Sequence, residues 1–165
     1  MDPVIEPCAL EEWSLAAKKI DTPAIRKTFR IWTNTHYSCQ FMGKDTFLKT
    51  QPFALRARVK DLPVAWISGY LLSPQVLRLR GLYCLPEFRQ QGIMKKLIAA
   101  IPSYAPIGVE RILSFSTPNS LDFHRSCGFI PVDDFVPRPI ELYDEDTSQY
   151  FIVPGSELVL MKKNI

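Results

Sequence analysis

At 165 residues the chain has the length of one ordinary domain, enough to bury a core without disulfides or a structural metal. Its 47% hydrophobic and 22% charged residues exclude a disordered chain, and no apolar run approaches the roughly 18 residues of a membrane span. The net charge of +3 is split unevenly, with 15 Lys and Arg against 8 Asp and Glu in residues 1–100 and 5 against 9 in the rest, so the first hundred residues suit a polyanionic ligand.

The opening "MDPVIEPCALEEW" is acidic and places no basic stretch ahead of an apolar one, which does not read as an export leader. Trp13, Ala16, Ala17 and Ile20 then recur at i, i+3, i+4 and i+7, the stripe of a helix. A second helix starts at Thr22 as N-cap with Pro23 at its first position, and Ile25, Phe29, Trp32 and His36 follow one face. The period next becomes two. In "FALRARVK", Phe53, Leu55, Ala57 and Val59 alternate with Ala54, Arg56, Arg58 and Lys60, and "KDLP" turns the chain into a second strand, Val64 to Leu72. "VLRLRGLYCL", Val76 to Leu85, is a third, and Gly81 inside it predicts a bulge or a close backbone approach.

Ile93, Leu97, Ala100 and Ile101 place a helix from about Gln91 or Gly92 to near Pro102, and "RILSFST", Arg111 to Thr117, is the next strand. Strand, helix and strand in this order make a βαβ unit with a parallel pair. A short helix from about Ser120 to Cys127 stops at Gly128, "FIPV" and Ser156 to Lys163 supply the last strands, and an acidic, aromatic loop is expected between them over Asp133 to Gly155. Cys8, Cys39, Cys84 and Cys127 form no C-x-x-C pair, which excludes a zinc knuckle or redox motif and fits buried thiols in a reducing compartment. The expectation is one cytoplasmic α/β domain over residues 1–165, with no metal and no membrane attachment. Its sheet is mixed and mostly antiparallel around a parallel central pair, with helices on both faces.

The stretch "LPEFRQQGIMKKLI" sets a charged glycine turn ahead of a helix. The N–H groups at a helix start lack intrahelical partners and sit at the positive end of the dipole, so phosphate is their natural ligand. Gly92 removes a Cβ where a ligand approaches, and Arg89, Lys95 and Lys96 add charge. Ligands also gather at the carboxyl ends of parallel strands, where this turn lies. Taken alone, the turn leaves two readings standing, a pyrophosphate cradle or a plain turn with solvated lysines.

Gly81 to Phe129 resembles the GNAT superfamily of acyl-CoA-dependent N-acyltransferases. "LYCLPEFRQQGIMKKLI" is similar to the family's strand, turn and cofactor helix, and "STPNSLDFHRSCGF" to its second signature, an Asn ahead of a short helix ending in Gly-Phe. The resemblance implies acetyl-CoA as co-substrate, with no metal. It implies that backbone groups of Tyr83, Cys84 and Leu85 pair with the pantetheine arm, with Gly81 as the bulge that opens the slot. N–H groups of Gln90, Gln91, Gly92, Ile93, Met94 and Lys95, beside Arg89, would hold the pyrophosphate, Asn119 would touch the cofactor, and Phe123 and His124 would lie beside the thioester sulfur. Two positions depart from the pattern. Met94 stands where Gly or Ala is usual, and either turns into the core or crowds the cradle. His124 stands where a Tyr often protonates the departing thiolate. As an acid it would have to be protonated, and His124→Phe would lose turnover yet keep cofactor binding; otherwise it is a helix histidine packed on Leu121 and Cys127.

The acceptor side is less defined. His36 either lines a cleft as a base or is a satisfied core histidine, and Asp133, Asp134, Glu141, Asp144, Glu145 and Asp146 either attract a cationic amine or face solvent. The activity expected is acetyl transfer to a primary amine, on a small molecule or a peptide, by direct attack in a ternary complex. The alternative is a non-catalytic acyl-CoA-binding or regulatory module. Nucleic acid is not an expected partner, because the Arg56, Arg58, Lys60 face lacks interleaved aromatics. The acceptor's identity and the acyl chain length stay open, as does the oligomeric state, a homodimer included.

Overall fold

The computed structural model describes residues 2–9, 12, 52–116, 120–133, 138–144 and 149–165. The two helices expected from Trp13 and from Thr22 lie outside them. Eight strands are seen among the described residues: β1 (Val4–Pro7), β2 (Pro52–Val59), β3 (Leu62–Ser73), β4 (Val76–Cys84), β5 (Arg111–Ser116), β6 (Ile130–Pro131), β7 (Arg138–Asp144) and β8 (Gln149–Asn164). They run in the order β1-β2-β3-β4-β5-β8-β6, with β7 paired to β8. Every pairing is antiparallel except β4 with β5, the parallel pair expected at the centre. Two helices, α1 (Ile93–Tyr104) and α2 (Leu121–Ser126), follow β4 and β5.

The alternation in β2 does what its pattern demands. Leu55 and Ala57 are fully buried, while Arg56 and Arg58 face a carboxylate pair. Arg56 Nε and Arg58 Nε both donate to Glu6 Oε1, at 2.7 and 2.6 Å, and Arg56 Nη1 donates to Glu12 Oε1 at 2.7 Å. β1 is a strand by its antiparallel backbone pairing with β2, Val4 with Arg58 through Pro7 with Leu55, and the Glu6 bonds add to that pairing where apolar alternation announces no strand. They also neutralise part of the basic face that prompted the nucleic-acid question.

α1 buries Ile93, Leu97, Ile98 and Ile101. At roughly 1.5–3 kcal/mol for each buried aliphatic side chain, packing rather than propensity holds this helix. It runs past Pro102 to Tyr104, whose hydroxyl donates to the Ile5 carbonyl at 2.9 Å and ties the helix end to β1. Cys127, Phe129, Ile112 and Met161 join the same core, so the chain after α2 closes onto α1 through β5 and β8.

The loop expected over Asp133 to Gly155 is corrected: Arg138–Asp144 and Gln149 onward are the hairpin arms of β7 and β8. The acidic residues obscure the strand-like "PIELY" and "QYFIV". Pro154 and Gly155 fall where the register shifts between Pro139 and Glu141, an irregularity that tolerates both residue types. No helix among the described residues is long and apolar enough to cross a membrane.

Candidate active site

β4 and β5 pair over only three positions, Val76 with Arg111, Leu77 with Ile112 and Arg78 with Leu113. The cause lies on the other edge of β4. Ser68 of β3 faces Gly81 and its neighbour Gly69 faces Leu79, which leaves Arg80 as an extra residue. The bulge is therefore centred one position before the expected Gly81. Gly69 makes a close approach of its own, since a Cβ there would lie 2.3 Å from the Arg78 carbonyl oxygen. Bulges bend and twist a strand. Beyond this one β4 stays with β3, through Trp66 with Tyr83 and Ala65 with Cys84, while β5 stays with β8. The carboxyl halves of two parallel neighbours thus diverge, and an opening begins after Arg78 and Leu113.

The turn at the end of β4 is built from its own side chains. Arg89 Nε donates to the Cys84 carbonyl at 3.0 Å, and its guanidinium lies 5.8 Å from the centre of the Tyr83 ring. Tyr83 in turn stacks on the buried Trp66, with ring centres 6.2 Å apart and planes 15° apart. Gln91 Nε2 donates to the Glu87 carbonyl at 3.1 Å. Gln90 (φ 61°) and Gly92 (φ 77°) are both left-handed, which curls the backbone into the kind of concavity that receives anions. No side chain caps the α1 N-terminus, and the space beside the Gly92 Cα is open to at least 4 Å.

The expected cradle residues meet here, with some differences. Ile93 is buried and Met94 packs against the core, the first of the two readings of that position. Lys95 is exposed at the helix start. Lys96 is engaged by Asp2, whose carboxyl is held below its usual range chiefly by that hydrogen bond. The Leu85 N–H donates to the Val64 carbonyl at 2.8 Å and its carbonyl accepts from Phe88 at 2.9 Å. Cys84 is half-buried, and burial raises its thiol above the usual range.

Across the opening, α2 ends as its sequence predicts, with Gly128 left-handed at φ 89°. His124 is buried, 3% exposed. Its Nδ1 lies 2.8 Å from the Ser120 carbonyl and 3.1 Å from Ser116 Oγ, and its Nε2 lies 2.9 Å from Ser114 Oγ. Ser116 Oγ is also 2.9 Å from Ser120 Oγ. A carbonyl only accepts, so Nδ1 carries a proton and donates; Nε2 is left to accept from the Ser114 hydroxyl. Burial lowers the imidazole below its usual range, outweighing the opposing bond to Ser120, and so favours the neutral ring. Phe123 and Phe129 flank it edge-on, with ring centres at 5.7 and 5.4 Å.

The structure thus gathers Tyr83, Cys84 and Arg89 through Lys95 at one end of β4 and α1, and Phe123 with His124 on the α2 side. His36 and Asn119 lie outside the described residues. Sequence reasoning missed Ser114, Ser116 and Ser120 as the partners of His124. A signal was present, since Ser114 and Ser116 continue the inward face begun by the buried Ile112, and buried hydroxyls require a partner.

A model of the acetyltransferase (GNAT) family matches residues 17–129. None of the curated proteins matches the chain. Among solved structures, Arabidopsis thaliana Naa50 in complex with the bisubstrate analogue CoA-Ac-MVNAL is 14% identical, with TM-score 0.63 and 100% of both chains covered. The PaiA N-acetyltransferase of Thermoplasma acidophilum in complex with coenzyme A is 16% identical, with TM-score 0.60 and 100% of both chains covered. A GNAT family acetyltransferase from Elizabethkingia anophelis with acetyl-CoA bound is 11% identical, with TM-score 0.57 and coverage of 99% of this chain and 98% of that one.

Proposed function

The chain belongs to the acetyltransferase (GNAT) family, and from that premise we propose that it transfers an acetyl group from acetyl-CoA directly to a primary amine in a ternary complex. One observation carries the reading. The divergence of β4 from β5 after Arg78 and Leu113 opens toward an uncapped helix start whose backbone is left-handed at Gln90 and Gly92. An opening flanked by strand edges fits a pantetheine arm, and the helix start fits a pyrophosphate.

When bound, acetyl-CoA supplies the activated acyl group as a thioester. The chain supplies position and charge. Backbone groups of Tyr83 and Cys84 align the arm, N–H groups from Gln90 through Lys95 hold the phosphates, and Arg89 and Lys95 add positive charge at the same end. Ile93 and Met94 contribute backbone only, their side chains being given to the core. Asn119 and Phe123 are assigned to the cofactor side of the opening, and His36 to the acceptor side as the group that takes the amine proton. Fixing both reactants in one cleft makes proximity the largest share of the rate.

The acceptor is a small-molecule or peptide amine. The Naa50 complex contains an analogue in which a peptide is joined to CoA through an acetyl group, which supports peptide N-termini as one class to test. We also assign the chain to the cytoplasm, in keeping with Cys8, Cys84 and Cys127 as free thiols. The test is release of CoA thiol from acetyl-CoA across small amines, amino sugars, lysine peptides and peptide N-termini. Amine-dependent release supports the transferase. A second reading is favoured by the burial of His124 where an acid was expected: cofactor binding with no release across the panel identifies a non-catalytic acyl-CoA-binding module.

A further inference from the structure

The divergence of β4 from β5 leaves a mechanical question. Past Leu113, β5 has β8 on one side, through Ser114 with Met161 and Ser116 with Val159, and among the described residues no strand pairs with it on the other. Ser114 and Ser116 are the first two inward-facing residues beyond the divergence, and both are bonded to the ring of His124. The same ring holds the carbonyl of Ser120, the residue that begins α2.

We propose that His124 is a positioning residue: as the neutral Nδ1–H tautomer it ties the half of β5 beyond Leu113 to α2 and so sets the width of the cofactor opening. The inference rests on the acyl-CoA reading of that opening. The single ring proton is directed at the Ser120 carbonyl and shared with Ser116 Oγ, and the remaining lone pair receives the Ser114 hydroxyl. Neither nitrogen is left to protonate a departing thiolate. That sulfur takes its proton from water or from the ammonium formed on the attacking amine, and residue 124 gains and loses none. Ser120, Ser116 and Ser114 span the junction of two elements, so removing the ring takes the imidazole from buried hydroxyls and removes its tie between β5 and α2, while β5 keeps its pairing with β8.

This reverses the expectation attached to a catalytic acid. An acid's loss lowers turnover and spares binding, whereas a brace's loss weakens binding too. His124→Phe is expected to weaken acetyl-CoA binding about ten- to hundredfold, the effect of stranding buried polar partners. His124→Asn places an amide N–H near the Nδ1 position, within reach of the Ser120 carbonyl, and is expected to restore binding to within about threefold of the parent, less than the cost of one ordinary hydrogen bond. Turnover should follow binding in both variants.

The experiment pairs calorimetric binding of acetyl-CoA to the parent chain and both variants with ¹⁵N-detected imidazole NMR of the parent at pH 7.5. A protonated Nδ1, an unprotonated Nε2 and rescue by Asn support the proposal. An Nε2–H tautomer or an imidazolium at that pH overturns it, as does a His124→Phe protein that binds normally while losing turnover. If His124→Phe does not fold, the spectrum and the Asn variant still decide. If the parent itself fails to bind acetyl-CoA, the acyl-CoA reading and the opening's role fall together, while the tautomer is judged on the spectrum alone.

Discussion

Substitution of Gly92 separates the conformation of the turn from the work assigned to it. Gly92 sits at φ 77° and ψ 5°, and a Cβ there meets nothing within 4 Å. In the free protein, Gly92→Ala therefore costs backbone strain alone, about 1–2 kcal/mol for a left-handed residue with a side chain. For a chain of this length, each kcal/mol shifts Tm by roughly 2–4 °C, so the expected loss is about 2–8 °C. Gly92→Asn should lose less, because asparagine enters the left-handed region more readily. Ligand binding reverses this order. Both side chains project into the space before the uncapped N–H groups, and Asn, the larger, obstructs a phosphate there at least as much as Ala. The assay is Tm of parent, Ala and Asn proteins with and without acetyl-CoA, with calorimetric Kd as the second readout. Parent-like affinity in both variants would remove the turn from the cofactor site. An Asn protein less stable than the Ala protein would refute the conformational argument itself.

Gly69→Ala would drive a Cβ against the Arg78 carbonyl oxygen, and since that neighbour is backbone the strands themselves must move; a loss of about 1–3 kcal/mol or more is expected in urea unfolding, against no change if the close approach is absent. The neutral, buried His124 makes stability depend on acid: its folded-state proton affinity is depressed, so its contribution is complete above the unfolded imidazole value of 6.5 and is lost as pH falls through the lower folded value. Unfolding free energy should decline from pH 7 toward pH 5 in the parent and less steeply in His124→Asn, and equal slopes would remove the assignment. Cys8 has the opposite sign. Burial, the largest cause, pushes its thiol up from 9.0 to about 11, so its contribution is intact below pH 9 and disappears as pH rises through about 11. Cys8→Ala should flatten that alkaline decline in a pH-stability scan.

Much of the framework was legible because its signals are local. The alternation of Phe53 to Val59 and the stripe of Ile93, Leu97 and Ile101 each report burial on one face, and the core holds these residues as read. Gly92 and Gly128 were readable because a left-handed backbone is a requirement of the position itself. What escaped depends on partners far apart in the chain. β1 exists through backbone pairing with β2, some fifty residues away, to which Glu6 adds its bonds to Arg56 and Arg58. β7 was hidden by its acidic residues, since charge on a strand says nothing about backbone pairing. The bulge falls on Arg80 rather than Gly81 because Gly69, on the opposite strand, supplies the room. His124 was identified by position, yet its state was decided by Ser114 and Ser116, ten and eight residues earlier.

The central claim is that the opening beside β4 and the start of α1 hold acyl-CoA. Thermal unfolding of the purified chain with acetyl-CoA, with free CoA and with ATP tests it most directly. At a ligand concentration about 100 times Kd, stabilisation is roughly 2.7 kcal/mol, which at 2–4 °C per kcal/mol is a rise of about 5–11 °C. Such a rise is expected with acetyl-CoA and with CoA, growing with concentration, and none with ATP. An unmoved midpoint with all three at millimolar concentration would contradict it.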